Sequence, residues 1–217
     1  MIQMNLDAGA NGELEVLCLG SHSDDIEIGC GGTILRLAGQ YPGCVFHWVV
    51  FSASGVRAEE AQRGAALFAG QARLRGPLLK TFRDGFLPFS GAEVKEVFEE
   101  LKPVISPDII FTPYRKDAHQ DHRLIGELTC NTFRDHLILE YEIPKYDGDL
   151  GQPSLFVPLQ PEVCQRKVRY LMDAFQSQIT KPWFQQDTFL SLMRLRGMEC
   201  NAPSGYAEAF YCHKLVL

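Results

Sequence analysis

Short apolar runs of strand length alternate with amphipathic stretches of helix length through the first two thirds of the chain. That alternation constrains the fold more than any other feature. Val16-Leu17-Cys18-Leu19-Gly20 is a buried-strand signal, and the stretch from Gly31 to Ala38 reads as the helix after it. Cys44 to Ser52, with Val45, Phe46, Trp48, Val49, Val50 and Phe51, repeats the strand, and the Ala- and Glu-rich stretch from Arg57 to Ala69 repeats the helix. A weaker strand follows around Leu78 to Phe82. Ala92 to Leu101 then gathers Val94, Val97, Phe98 and Leu101 on one helical face, and Asp108 to Thr112 is the next strand. Strands alternating with helices imply parallel pairing with right-handed crossovers. The expected fold is therefore α/β, a Rossmann-like three-layer sandwich around a mostly parallel sheet. In the usual doubly wound order the first and fourth strands are neighbours, and ligands bind beyond their carboxyl ends.

A chain of 217 residues, 46% of them hydrophobic, buries a large core, and it has no apolar run near the roughly 18 residues a membrane span needs. We expect one domain over residues 1–217. About 14–140 form the core that carries any site, and about 141–217 add a loop, a helical segment and a final strand. Pro144 to Pro158, with Asp147-Gly148-Asp149-Leu150-Gly151-Gln152-Pro153, is the linker-like stretch between them. The stretch from Met1 to Asn11 lacks the basic flank and apolar run of an export signal. Seven cysteines form an odd set without a Cys-x-x-Cys pair, which reads as reduced core residues of a cytoplasmic protein. A net charge of −6 without a basic stripe argues against a nucleic-acid partner. Nothing in the composition speaks against a homo-oligomer.

Two acidic-histidine clusters follow the first and fourth strands, Ser21-His22-Ser23-Asp24-Asp25 and His119-Gln120-Asp121-His122. A catalytic zinc takes three protein ligands of His and carboxylate type and keeps one position open. His22, Asp25 and His122 supply such a set. Asp24, one residue from a ligand, is placed to take a proton from water as general base. His119 would face the same space from the other cluster, with Asp121 near enough in sequence to orient its ring. A metal, a base and a donor histidine together suit amide hydrolysis, the histidine stabilising the oxyanion. Duller readings stand beside this one. A single His-x-x-Asp or His-x-x-His is common by chance, and Asp24 and Asp25 are also good helix-entry residues. Gly29, Gly31 and Gly32 could cradle a phosphate, although Gly-Cys-Gly-Gly does not fit Gly-x-Gly-x-x-Gly; close packing is the preferred reading.

The run from His22 to Thr33 resembles the H-P-D-D-x-E-x-G-x-G-G-T signature of the LmbE/PIG-L-like zinc-dependent N-acetylglucosaminyl deacetylases. The second cluster is similar to that family's H-P-D-H. Gly55, Arg57-Ala58-Glu59-Glu60, Asp84-Gly85 and Tyr206-Ala207-Glu208-Ala209-Phe210 fall in the family's order, so the resemblance covers most of the chain from about Glu15. It implies Zn2+ held by His22, Asp25 and His122, Asp24 as general base, and His119 as the oxyanion-stabilising histidine. It also suggests Arg57 and Asp84 for the sugar hydroxyls. The reaction implied removes the N-acetyl group from an N-acetylglucosamine-type amino sugar or its conjugate. Ser23 and Gln120 stand where the family has proline, which loosens both loops without removing a ligand or the base. Two alternatives remain from the residues. One is a Rossmann-like nucleotide- or cofactor-binding protein, and the other a carbohydrate-binding relative that no longer turns over. Pro144 to Pro158 and Trp183 to Met198 are the expected readers of whatever lies beyond the sugar, the apolar residues of the second segment being mainly helix core. His47 and His136 read as structural, and His213 as core or rim.

Overall fold

The computed structural model describes Leu6 and residues 13–216; the reading of Met1 to Asn11 lies otherwise outside the described residues. Seven strands form one sheet in the order β3-β2-β1-β4-β5-β7-β6. β1 (Glu15–His22), β2 (Val45–Ser52), β3 (Arg73–Leu79), β4 (Ile109–Pro113) and β5 (Leu137–Tyr141) run parallel. β7 (Ala207–Cys212) pairs antiparallel with both β5 and β6 (Leu155–Pro158). β1 lies between β2 and β4, with Cys18 registered against Trp48 on one side and Phe111 on the other. The expected adjacency of the first and fourth strands is thus present.

Side chains alternate across β1 into two cores, as the pleat requires. Val16 and Cys18 meet α1 (Asp25–Gln40), α2 (Val56–Ala69), α5 (Pro161–Ala174) and α6 (Gln186–Glu199) through Ile26, Phe68, Leu171 and Met193. Leu17 and Leu19 meet α3 (Gly91–Leu101) and α4 (Gln120–Thr132) through Val94, Phe98 and Ile125. Helices on both faces explain why the central strands read as unbroken apolar runs. Because α5 and α6 pack into the first of these cores, the carboxyl-terminal part completes a single α/β domain.

Three elements differ from the sequence reading. β3 lies at Arg73–Leu79, earlier than the stretch from Leu78 to Phe82, because it is an edge strand with mostly exposed residues and little apolar signal. β6 occupies part of the linker-like stretch, a half-buried edge strand of four residues. α1 starts at Asp25, so Gly29, Gly31 and Gly32 lie within the helix. Their missing side chains make room for the Tyr141 ring, the Phe68 ring, and Leu159 with Glu208, respectively.

All seven cysteines are unpaired, five of them buried. His47 is buried in β2 with Nε2 3.1 Å from Glu15 Oε2, while His213, just past β7, reaches Glu140 Oε1 at 3.1 Å. His136 falls before β5, against the Phe133 ring. Among the described residues no helix is long and apolar enough to cross a membrane.

Candidate metal centre

β1 delivers His22 at its last position and α1 begins three residues later, so Asp25 can fold back and accept the His22 N–H through Oδ2 at 2.8 Å. On the neighbouring strand end, His119 caps α4: its Nδ1 accepts the Asp121 N–H at 3.2 Å, and His122 follows in the first turn. Three donor atoms then converge. His22 Nδ1 lies 3.2 Å from His122 Nε2 and 3.5 Å from Asp25 Oδ2, and Asp25 Oδ2 lies 3.3 Å from His122 Nε2. Tetrahedral zinc with bonds of about 2.0–2.1 Å separates its donors by about 3.3–3.4 Å, so the triangle fits one face of that tetrahedron. Donor atoms of His22, His119 and His122, and of His22, Asp84 and Asp121, also lie within 4.8 Å of one another. The other nitrogen of His22 is held from behind, Nε2 standing 3.1 Å from Asp84 Oδ1 and 3.2 Å from Asp121 Oδ2. Such outer carboxylates orient a ligating imidazole and raise its basicity.

The electrostatics match this geometry. Burial works to lower the pKa of His22 and His122, but the Asp25 charge prevails, leaving His22 well above the ordinary value and His122 raised to about 9. Burial works against the Asp25 carboxylate, yet the His122 and His22 charges hold its pKa well below the usual range. The surroundings thus favour positive charge at the triangle, and the carboxylates that keep these imidazoles protonated would hold a cation. Asp24 shifts the other way: burial raises its pKa and the Arg57 charge opposes. His119 is lowered by burial and by the His122 and His22 charges, which favours a neutral ring. Since its Nδ1 accepts a backbone N–H, the proton of that ring sits on Nε2.

The model of the PIG-L family, GlcNAc-PI de-N-acetylase, matches residues 17–133, more than half of the chain. The chain belongs to the PIG-L family. It is 28% identical over 149 residues to the uncharacterized deacetylase YaiS of Escherichia coli K12, covering 63% of this chain and 78% of that protein. Its fold is similar to that of N,N'-diacetylchitobiose deacetylase from Pyrococcus horikoshii, with a TM-score of 0.67 and 19% identity over 92% of this chain and 83% of the other. It is equally similar to GalB, the 4-carboxy-2-hydroxymuconate hydratase of Pseudomonas putida, with a TM-score of 0.70 and 17% identity over 94% of this chain and 98% of the other. One fold therefore carries more than one reaction, and the site has to be read from its own residues.

This PIG-L family chain brings both clusters together at the carboxyl ends of β1 and β4. Asp24 is buried next to the triangle, with Oδ1 accepting from Arg57 Nη2 at 2.5 Å and Oδ2 unpartnered. Arg57, expected toward a sugar, has its guanidinium engaged by Asp24 and, at 2.8 Å, by Glu60 Oε2. Asp84 is exposed and leans on His22. Asp121, expected to orient the His119 ring, points its carboxylate elsewhere, accepting the N–H groups of Gly85 at 2.7 Å and Leu87 at 3.1 Å. The physical reason is that both N–H groups would otherwise be left without partners where the Gly85 turn, at φ 77°, folds over α4. Gln120, in the family's proline position, donates its side-chain amide to the Gly85 carbonyl and fastens the same turn.

Asp117 was missed in the sequence. Its Oδ1 accepts the His119 N–H at 2.7 Å, and its Oδ2 stands 3.1 Å from His122 Nδ1, off the line of a good hydrogen bond. The spacing Asp117-x-His119 was the available signal.

Proposed function

We propose that the chain is a zinc-dependent amidohydrolase that removes the acetyl group from an N-acetylglucosamine-type amino sugar or its small-molecule conjugate. The observation that carries this reading is the His22, Asp25 and His122 triangle, with edges of 3.2, 3.3 and 3.5 Å and a buried carboxylate beside it. Zinc bound there would polarise the acetamido carbonyl and the attacking water. Asp24 receives the water's proton at Oδ2, the oxygen left open while Arg57 holds Oδ1. His119 donates its Nε2–H to the carbonyl oxygen as negative charge develops there. When the C–N bond breaks, Asp24 returns the proton to the leaving amine, so acetate and free amino sugar depart. Asp84, exposed at the rim, is the group we assign to a sugar hydroxyl, and Arg57 is assigned to holding the base. Seven unpaired cysteines support a reducing compartment such as the cytoplasm. Against nucleotide binding, Asp24, Asp25 and Glu27 occupy the start of α1, where a phosphate would have to sit.

The test is metal content by elemental analysis, paired with acetate release from N-acetylglucosamine derivatives with and without chelator. About one zinc per chain with chelator-sensitive release supports the proposal. Bound metal without acetate release would redirect it to another reaction on this fold. No metal after reconstitution would remove the centre.

A further inference from the structure

The turn that enters α4 is held from behind by groups that the proposed reaction does not use. Asp117 Oδ2 lies 2.8 Å from Lys145 Nζ, and Lys145 Nζ also reaches Asp149 Oδ1 at 3.0 Å and Oδ2 at 2.8 Å. Asp149 Oδ2 accepts the Ala118 N–H at 2.6 Å, while Asp117 Oδ1 accepts that of His119. Two consecutive backbone N–H groups therefore end on two carboxylates bridged by one ammonium. Both acids and the lysine are largely shielded, with side chains 3%, 15% and 12% exposed for Asp117, Asp149 and Lys145. The loop that contributes Lys145 and Asp149 is itself anchored. The Gly151 N–H donates to the Tyr211 hydroxyl at 2.9 Å, and the Ser154 N–H to the Phe210 carbonyl at 3.0 Å.

We propose that Lys145 and Asp149 are positioning residues for the metal centre, setting the direction of the His122 ring and the His119 turn through Asp117. The inference rests on the metal-dependent reading above. Two shielded carboxylates repel each other, and the ammonium turns that repulsion into a clamp. With the clamp intact, the Asp117 charge stays 3.1 Å from His122 Nδ1 and Asp117 keeps the His119 N–H, so Nε2 of His122 stays aimed at the triangle. Without it, Asp117 is free to leave both His122 and the His119 N–H. Loss of an outer partner of a metal ligand typically weakens binding about 10–100-fold.

The experiment titrates metal-free protein with Zn2+ against a chromophoric chelator and records the visible spectrum of the Co2+ form. It compares wild type with Lys145→Met, Lys145→Arg and Asp149→Asn, whose amide oxygen still accepts the Ala118 N–H. Lys145→Met should bind Zn2+ about 10–100-fold more weakly with an altered Co2+ spectrum, and Lys145→Arg should recover most of both. Asp149→Asn should shift in the same direction by less. A folded Lys145→Met protein with wild-type affinity and spectrum overturns the proposal, even if its melting temperature falls. If Lys145→Met does not fold, wild-type affinity in Asp149→Asn overturns it. Failure of the wild type itself to bind Zn2+ or Co2+ would instead strike the metal-dependent reading, and this inference with it.

Discussion

Replacing Asp24 by Asn separates chemistry from architecture, because it changes one atom of a side chain that is 4% exposed. The amide oxygen can still accept from Arg57 Nη2, as Oδ1 does at 2.5 Å, so the guanidinium keeps its place. The base is lost. Removing a general base lowers the rate by about 10²–10⁴, equivalent to about 2.7–5.4 kcal/mol at about 1.36 kcal/mol per decade. Stability should move much less. Burial raises the Asp24 pKa against the Arg57 charge, so the folded protein carries a disfavoured charge above that pKa, and the penalty fades as pH falls from there to the ordinary carboxylate value. Asn removes the penalty at neutral pH but places an unpaired amide N–H group where Oδ2 had no partner, at about 1–3 kcal/mol. The two oppose each other. Each kcal/mol left over corresponds to about 2–4 °C for a chain of this size. The assay combines steady-state acetate release, zinc per chain, and thermal unfolding of the metal-free protein. A turnover within tenfold of wild type with zinc retained would refute Asp24 as the base, and joint loss of zinc and activity would make it a ligand instead.

His122→Ala should lose zinc and activity together, read by elemental analysis and acetate release; retained stoichiometric zinc would take His122 out of the ligand set. His119→Ala should keep zinc and lower turnover by about 10²–10³, and an unchanged rate would remove its oxyanion role. Protons compete with metal at His122, whose pKa is raised to about 9, Asp25 overcoming the effect of burial. Zinc affinity should therefore climb with pH as His122 and His22 give up their protons, with protons released on uptake, as calorimetry in buffers of different ionisation enthalpy would show. In the metal-free protein the same histidine contributes stability that is full below pH 6.5 and lost as pH rises through about 9. Gly29→Ala drives a methyl into the Tyr141 ring, whose hydroxyl donates to the Leu19 carbonyl at 2.6 Å. Overpacking of about 1–3 kcal/mol should exceed the gain of up to about 1 kcal/mol in helix propensity, and a melting temperature at or above wild type would contradict the packing role.

What the sequence disclosed follows from coverage. β1, β2 and β4 lie under helices on both faces and read as continuous apolar runs, so their order and the meeting of the two clusters were legible. β3 and β6 are edge strands with exposed or half-buried residues, and neither carries an apolar run long enough to place it. The apolar helical signal begins only near Gly31, whereas α1 begins at Asp25, one of the acidic residues favoured in a first helical turn. The direction of Asp121 depends on where the turn at Gly85 lands. The partners of Asp117 depend on a loop that returns from Lys145. Neither closure has a local signal.

Charge pairing is consistent with the cation proposed for the centre. Arg57 is shared between Asp24 and Glu60, and Lys145 between Asp117 and Asp149. The Asp121 carboxylate is satisfied by two backbone N–H groups, and Asp84 is exposed to water. Among the described residues, Asp25 has no lysine, arginine or pair of loop N–H groups to answer its charge; it has the two imidazoles and the His22 N–H. Helix N-termini contribute partial positive charge to carboxylates such as Asp25 and Asp121, but only about half an elementary charge each. A divalent ion within the triangle would complete the balance while leaving Asp24 and His119 free to move a proton and stabilise an oxyanion. Asp25→Asn removes the carboxylate charge while keeping an oxygen for the His22 N–H, so it should cost zinc, read by elemental analysis, rather than the fold, read by thermal unfolding.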